Sequence, residues 1–376
     1  MTDPAPGGAG APRRRPYLDW LRGAGVLIMI EGHTLDAWTR LDERTRAGYQ
    51  WAIAVAGIGA PIFLFLAGAA LALAAGSRQR AGLDDAAVAA RASRRALGIF
   101  GLAFLFRFQS WVISRGEFWS VLLKVDILNV MGLSLLAAAL LWAAGRDRRS
   151  RALLLSACAA LVALATPIVR ASPLLAALPD PVEWYLRPVP GRNTFTLFPW
   201  SGFLLAGGAV GLWLDAAREP DTERRAMAWL ALAGAALALG GYGASYLPPI
   251  YRDVSFWTSS PTFFFLRLGI VMAAVPAAYA WMRAWPGWSP LRELGVASLF
   301  VYWIHVELVY GVPSLMLHRR LRFEQALAAL AIVVILMFGA VRLRDRIVRG
   351  LRPVLAGATD TRSVSRVGST RTHRTP

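Results

Sequence analysis

Long apolar runs recur along almost the whole chain, and each is long enough to cross the hydrocarbon core of a bilayer. About 20 consecutive apolar residues suffice for a transmembrane helix. The pattern therefore predicts an all-α, polytopic integral membrane protein with about ten transmembrane helices. We place the spans near residues 18–38, 49–75, 96–113, 120–144, 152–170, 196–214, 227–247, 262–282, 296–316 and 324–342.

The rest of the chain is short and basic. Residues 1–16 are rich in Pro and Gly and end in three arginines, and no plausible cleavage site follows the first run. Residues 346–376 are rich in Ser, Thr and Arg without an apolar period. We predict a disordered basic tail over 1–16, one membrane domain over 17–345 that starts with an uncleaved signal anchor, and a disordered basic tail over 346–376. At 56% hydrophobic and 17% charged residues, no separate soluble domain is expected.

Basic residues concentrate between the apolar runs. A net charge of +18 would suggest nucleic acid as a partner in a soluble protein, but the positive-inside rule explains this distribution better. With the N-terminus inside, the cytoplasmic segments hold more than twice as many basic residues as the outer ones. We predict an N-in/C-in orientation and no nucleic-acid partner. The sequence HRRLR at 318–322 is an exception that this topology places outside.

Forty of the 41 basic residues are arginine, and Ala and Gly are abundant, which is typical of a GC-rich bacterial genome. We therefore expect residence in the inner membrane of a bacterium, where the basic tails contact anionic lipid. The single cysteine, Cys158, has no disulfide partner. The four histidines are not at metal-ligand spacing, so we expect no metal site.

Ionisable side chains inside membrane spans are costly and usually functional. Here they cluster in five predicted spans: Arg22, Glu31, His33, Asp36, Arg107, Lys124, Asp126, Arg267, His305 and Glu307. For Lys124 a structural ion pair is the preferred interpretation. For Arg107, Arg267, His305 and Glu307, a structural polar network and a substrate contact are equally supported.

The first span holds the most specific pattern. Arg22 and His33 are eleven residues apart, which is about three helical turns and roughly 16 Å. Residues 22, 26, 29, 33 and 36 form one stripe, so Asp36 is placed to orient His33, whereas Glu31 points away. A histidine that merely ties helices together and an ordinary interfacial arginine remain the alternatives.

Two other features are open to structural or functional interpretation. The outer loops near 171–195 and 248–261 are rich in Pro, Trp, Tyr and Arg, and either shape a mouth for a polar acceptor or form an aromatic belt. Gly207 and Gly211 form a small-xxx-small pair that allows close helix packing.

Six blocks of the chain are specific enough, in their order, to compare with known families: LDWLRGAGVLIMIEGHTLDAW, GAPIFLFLAG, VDILNVMGL, FPWSGFLLAGGAVG, SPTFFFLRLG and SLFVYWIHVELVYG. Together they resemble the heparan-alpha-glucosaminide N-acetyltransferase-like family. The resemblance covers roughly residues 15–345, and the Arg22 to His33 spacing is also that of transmembrane acyltransferases that modify envelope glycans.

This resemblance implies transfer of an acetyl or other short acyl group from cytoplasmic acyl-CoA to an acceptor across the membrane. His33 matches the family's catalytic histidine and Arg22 its donor-associated arginine. We expect Arg22, with Arg94 or Arg95, to hold the CoA phosphates, and Asp36 or Asp126 to hold the ring of His33. His33 acts either as a general base or as an acyl carrier.

The acceptor implied is a hydroxyl or amine of an envelope glycan or a similar molecule, and not heparan itself. A transporter or flippase for a polar solute or lipid-linked sugar is the main alternative, because intramembrane charges also line transport pathways. A catalytically inactive membrane scaffold is a third. The oligomeric state stays open, with a homodimer among the options.

Overall fold

The computed structural model describes residues 14–113, 119–252 and 254–367, and within them the chain is almost entirely helical. No strand occurs in these ranges, which contain only isolated bridges. The helices are α1 (Pro16–Trp38), α2 (Ala47–Ala56), α3 (Gly59–Arg80), α4 (Asp85–Ile113), α5 (Ile127–Ala144), α6 (Arg148–Ala171), α7 (Asp180–Leu186), α8 (Leu197–Ala216), α9 (Pro220–Ala244), α10 (Pro261–Ala284), α11 (Pro290–Val296), α12 (Ser298–Tyr310) and α13 (Phe323–Val367).

Eight helical segments of the described chain are long and apolar enough to cross a membrane, counting α2 with α3 as one. The predicted all-α polytopic architecture is confirmed. The pair α11 and α12 is long and apolar enough only when taken together, and its bend of 88° is the geometry of a broken span or a re-entrant loop. Helix α1 has 23 residues but carries four charged side chains, Asp19, Arg22, Glu31 and Asp36. It nevertheless packs against α2, α3 and α10 to α13, so it occupies the middle of the bundle.

The predicted span over 296–316 is not one continuous helix. The helix α12 has only 13 residues and ends at Tyr310, which gives about 20 Å at 1.5 Å per residue. That length is shorter than a hydrocarbon core of about 30 Å. Helix α11 precedes α12 across a bend of 88°, so it runs almost perpendicular to α12 and adds little to its length.

Contacts between loops define two ends of the bundle. At the inner end, where α1 begins, Arg15 pairs with Glu223, Arg80 with Asp215 at 2.6 Å, and Arg151 with Asp85. These are all segments that the sequence predicts to be cytoplasmic.

At the outer end, where α1 finishes, the loop 318–322 lies against the last turn of α1. The amide of Arg319 donates to the carbonyl of Ala37 at 3.0 Å, and that of Leu321 donates to Trp38 at 2.9 Å. The basic loop 318–322, which is the exception to the positive-inside rule, therefore lies at the outer end of the bundle, where the predicted topology places it.

Helices α3 and α8 form one of the closest contacts in the core. A Cβ added to Gly207 would lie 1.9 Å from the carbonyl oxygen of Phe65, and one on Gly68 would lie 1.9 Å from that of Leu204. The close approach expected at Gly207 and Gly211 is present, and it permits tight backbone packing.

The ends of the chain fall partly outside the described residues. Residues 1–13 of the predicted N-terminal tail, and 368–376 of the C-terminal one, are among those not described. Helix α13 runs through Val367, so a helical backbone covers residues 346–367, where the sequence predicted disorder.

Candidate active site

A cavity of about 800 Å³ runs through the bundle between α1, α3, α4, α5 and α12. Arginines line its inner end, namely Arg22, Arg78 and Arg95. Polar and charged side chains line its outer end, among them Asp36, Arg107, Lys124, Asp126, Thr194, Glu307 and Tyr310. The wall between the two ends is mainly apolar, with Ala67, Ala70, Leu71, Ala74, Ile99, Leu102, Met131 and Leu135.

Helix α1 presents His33 to this cavity. The predicted stripe is correct, because Arg22, Met29, His33 and Asp36 all line the cavity. Val26, the fifth member of the stripe, is fully buried instead.

A second histidine, His305, forms a hydrogen bond with His33. The Nδ1 atom of His33 lies 2.9 Å from the Nε2 atom of His305, and the two rings are nearly parallel. His305 is completely buried on α12, and its Nδ1 lies 2.7 Å from the carbonyl oxygen of Val301 one turn earlier.

This chain of contacts determines where the protons lie in the neutral pair. A carbonyl oxygen only accepts, so Nδ1–H of His305 donates to Val301 and the Nε2 of His305 carries a lone pair. Nδ1–H of His33 must then donate to that lone pair. The Nε2 of His33 is left unprotonated and makes no hydrogen bond within the described chain. The site therefore contains a neutral imidazole that is set up to accept a proton or attack an electrophile.

The two aspartates expected to orient His33 are engaged elsewhere. Asp36 accepts hydrogen bonds from Arg44 Nη1 and from the hydroxyl of Tyr310, both at 3.3 Å. Asp126 caps the N-terminus of α5 and lies 2.9 Å from Arg107 Nη2. Both line the cavity, but within the described residues the partner of His33 is His305.

The arginines expected to hold the donor differ in their position relative to the cavity. Arg22 donates to Asp19 at 2.9 Å, and Asp19 also accepts from Arg14 at 2.8 Å. Arg95 lines the cavity, whereas Arg94 is exposed and donates to the carbonyl of Ala90. Of the two, the structure brings only Arg95 to Arg22.

Two further residues of this site were not singled out by the sequence for these roles. Arg78, in the last turn of α3, lines the inner end of the cavity together with Ala67, Leu71 and Ala74. Helical spacing of 4, 3 and 4 residues along that face was a usable signal. For His305 the signal was its position inside an apolar run, but nothing in the sequence indicated His33 as its neighbour.

Nothing in the described ranges is arranged to hold a metal ion, since no group of three His, Cys, Asp or Glu side chains converges there. The geometry instead combines a buried base, a basic mouth and a polar outer compartment.

Comparison with known proteins gives one family. The model for the family "Heparan-alpha-glucosaminide N-acetyltransferase, catalytic" matches residues 14–247, which is more than half of the chain. Arg22, Arg78, Arg95 and His33 lie within the match, and His305 lies beyond it. A search of curated proteins finds no match. The resemblance noted in the sequence is confirmed, and the chain belongs to the heparan-alpha-glucosaminide N-acetyltransferase catalytic family.

Proposed function

We propose that this protein transfers an acetyl or short acyl group from cytoplasmic acyl-CoA to a hydroxyl or amine of an envelope glycan or similar acceptor, in the inner membrane of a bacterium. Membership of a membrane acetyltransferase family supports the transfer. One observation supports the mechanism most directly. His33, hydrogen-bonded to the buried His305, lines a cavity that joins an arginine-lined inner mouth to a polar outer compartment.

The length of the cavity fits the donor. From Arg22 to His33 the helix rises over eleven residues, about 16 Å. The pantetheine arm of CoA joins its diphosphate to its sulfur through about thirteen bonds of 1.3–1.5 Å, which gives roughly 16 Å when extended. Phosphates held at Arg22, Arg78 and Arg95 therefore place the thioester beside His33. Arginine suits this task because it donates several hydrogen bonds to phosphate.

The middle of the cavity suits the arm itself. Its wall is made largely of alanine and aliphatic side chains, which leave a narrow apolar passage. Such a lining keeps bulk water from the thioester, and exclusion of water limits hydrolysis of a reactive group.

The chemistry balances around the Nε2 atom of His33. In the direct route, Nε2 takes the proton of the acceptor hydroxyl or amine while the acceptor atom attacks the thioester carbonyl. The C–S bond then breaks, and the CoA thiolate takes the proton from the imidazolium. In the carrier route, Nε2 attacks the carbonyl first, the C–S bond breaks and CoA leaves as the thiolate. The acceptor atom then attacks the acyl carbon, the Nε2–C bond breaks, and the acceptor proton goes to the thiolate. In both routes the Nε2 atom of His305 accepts a hydrogen bond from Nδ1–H of His33, which stabilises the positive charge that develops on the His33 ring.

Binding of acetyl-CoA to the purified protein tests the donor half. Calorimetry should show micromolar binding by the wild type, loss of that binding in Arg22→Ala, and retention in His33→Ala. If the wild type does not bind acetyl-CoA, the proposed function is wrong.

A chemical experiment then separates the two routes. Incubation with radiolabelled acetyl-CoA in the absence of acceptor should trap acetyl-histidine if His33 carries the group. Repeated failure with an active preparation would favour direct transfer.

A transport function is the second candidate. The observation that favours it is the broken span α11–α12, with its 88° bend beside the cavity, because broken helices are typical of transporter substrate sites. Movement of a polar solute across proteoliposomes without any acyl donor would support transport. Dependence of product formation on acyl-CoA would exclude it as the main activity.

A further inference from the structure

The outer compartment of the cavity carries both signs of charge. We use this name for the cavity-lining residues beyond His33, namely Asp36, Arg107, Lys124, Asp126, Thr194, Glu307 and Tyr310. Three are carboxylates and two are cations. A ligand with a net charge of either sign would meet repulsion from part of this wall.

Glu307 is the carboxylate of this compartment that has no partner. No hydrogen bond or ion pair to it occurs within the described chain, and its Oε1 atom is buried. Asp36 and Asp126, in contrast, are engaged by Arg44, Tyr310 and Arg107. A carboxylate oxygen that is buried without a hydrogen-bond donor is unfavourable, so the half-buried Glu307 is the group that a ligand would satisfy.

Arg107 supplies the complementary donors. Its Nη2 atom lies 2.9 Å from Asp126, and its Nε has no acceptor within the described residues. A guanidinium carries five N–H donors, so most remain for a ligand. Arg107 and Glu307 influence each other electrostatically, yet they form no ion pair in the described structure. The compartment thus offers an unfilled acceptor and unfilled donors on facing helices, α4 and α12.

We infer that the acceptor is an uncharged polyol, such as a neutral sugar, whose hydroxyl groups donate to Glu307 and accept from Arg107. This inference rests on the proposed function and names its acceptor class. A hydroxyl is both donor and acceptor, so vicinal hydroxyls satisfy both residues at once. A protonated amine would pair with Glu307 but would be repelled by Arg107 and Lys124. A carboxylated or sulfated sugar would be repelled by the three carboxylates.

The transfer that follows is an O-acylation. A neighbouring hydroxyl of the bound polyol gives its proton to His33 Nε2, its oxygen forms an ester with the acyl carbon, and CoA leaves as the thiol. Glu307 positions the acceptor and takes no part in proton transfer.

Binding of three matched hexoses tests the inference. Methyl glucoside is neutral, glucosamine is cationic and glucuronate is anionic, and each is titrated into the purified protein in the presence of CoA. The neutral sugar should bind at least about tenfold more tightly than either charged one, a difference of about 1.4 kcal/mol. Glu307→Gln should weaken binding of the neutral sugar about tenfold, because it removes a charged hydrogen-bond acceptor.

Glu324→Gln is the matched control. Its carboxylate lies at the outer end of α13, is 61% exposed and pairs with Arg46, away from the cavity. It should leave sugar binding unchanged. In all samples the affinity for acetyl-CoA should stay at the wild-type value.

The outcomes separate the two proposals. Equal or tighter binding of a charged hexose, no effect of Glu307→Gln, or no binding of any hexose would overturn the inference on the acceptor while donor binding persists. Absence of acetyl-CoA binding by the wild type would instead overturn the proposed function.

Discussion

At the scale of single residues, the contact between His33 and His305 carries most of the chemical argument. Because the Nδ1–H group of His305 donates a hydrogen bond to the backbone carbonyl of Val301, its Nε2 atom presents only a lone pair to His33. The ring of His33 is therefore held in one tautomer by a second ring rather than by a carboxylate. A neutral partner also avoids burying an extra charge in the bilayer, which would be costly.

His305 should behave as a positioning residue. His305→Ala removes the acceptor of the His33 Nδ1 proton, so we expect kcat to fall about tenfold to a hundredfold while the affinity for acetyl-CoA is unchanged. His305→Gln should recover part of the rate, because its amide oxygen can accept the same proton. Steady-state kinetics of the two variants make the comparison.

His318→Ala provides the control for that experiment, since His318 is exposed in the outer loop. It should keep the wild-type kcat. If His305→Ala and His305→Gln were equally inactive with an intact fold, positioning through the Nδ1 hydrogen bond would be the wrong explanation.

The sequence predicted which residues of α1 share one face, but not which residues of other helices contact them. Helical periodicity relates positions on one helix, so it put Arg22, His33 and Asp36 on one face. It carries no information on which other helix faces them. Asp36 was assigned to His33 on proximity along the helix, whereas tertiary packing gives it Arg44 and Tyr310 and brings His305 from 272 residues away.

At the scale of helices, α4 offers a direct test of the donor mouth. Arg94 and Arg95 are adjacent in sequence and both near the inner end, but only Arg95 lines the cavity. Arg95→Ala should weaken acetyl-CoA binding about tenfold, as expected for loss of a charge-assisted contact to phosphate. Arg94→Ala makes the same change in net charge and should have little effect.

Calorimetric titration at two salt concentrations measures this difference. If both variants lose affinity equally, the basic inner surface acts through its overall field, and the cavity lining is not what selects the donor.

The contact between α3 and α8 leads to a prediction on stability. Gly207→Ala would put a Cβ 1.9 Å from the carbonyl oxygen of Phe65, so the helices must separate. We expect destabilisation of at least about 1–3 kcal/mol and a lower melting temperature in detergent. Gly240→Ala is the matched control, because its Cβ would meet nothing within 4 Å in α9.

An unchanged melting temperature for Gly207→Ala would show that the two helices are not in close contact in the folded protein. The control should be neutral or slightly stabilising, since alanine has the higher helix propensity.

Element boundaries could be predicted where the apolar runs are uniform. The spans that became α6, α8 and α10 lie close to their predicted positions. The failure at 296–316 has a physical cause. Hydropathy measures the composition of a window, and both α12 and the turn after Tyr310 are largely apolar. The end of α12 at Tyr310 therefore leaves no trace in the pattern.

At the scale of the whole molecule, the two ends of the bundle differ in what they offer. The ion pairs between inner loops and the arginines of the cavity mouth lie at the inner end. The outer end gathers the mixed charges around Glu307 and the loop 318–322. The counts of basic residues predict which end faces the cytoplasm. They do not predict the side of the loop 318–322, because a basic loop at the outer end is contrary to the positive-inside rule.

The molecule should consequently work in one direction, with its donor entering only from the side of Arg22. The orientation of the protein in the membrane can be determined with single-cysteine variants. In a Cys158→Ser background, one variant carries Arg149→Cys in the inner loop and the other carries His318→Cys in the outer loop. In intact cells, a membrane-impermeant thiol reagent should label the position 318 variant and reach the position 149 variant only after permeabilisation. In proteoliposomes sorted by the same labels, acetyl-CoA should support turnover only when it is supplied on the side of residue 149. Turnover from the side of residue 318 would mean that the arginine mouth does not admit the donor, because a highly charged nucleotide does not cross the bilayer unaided.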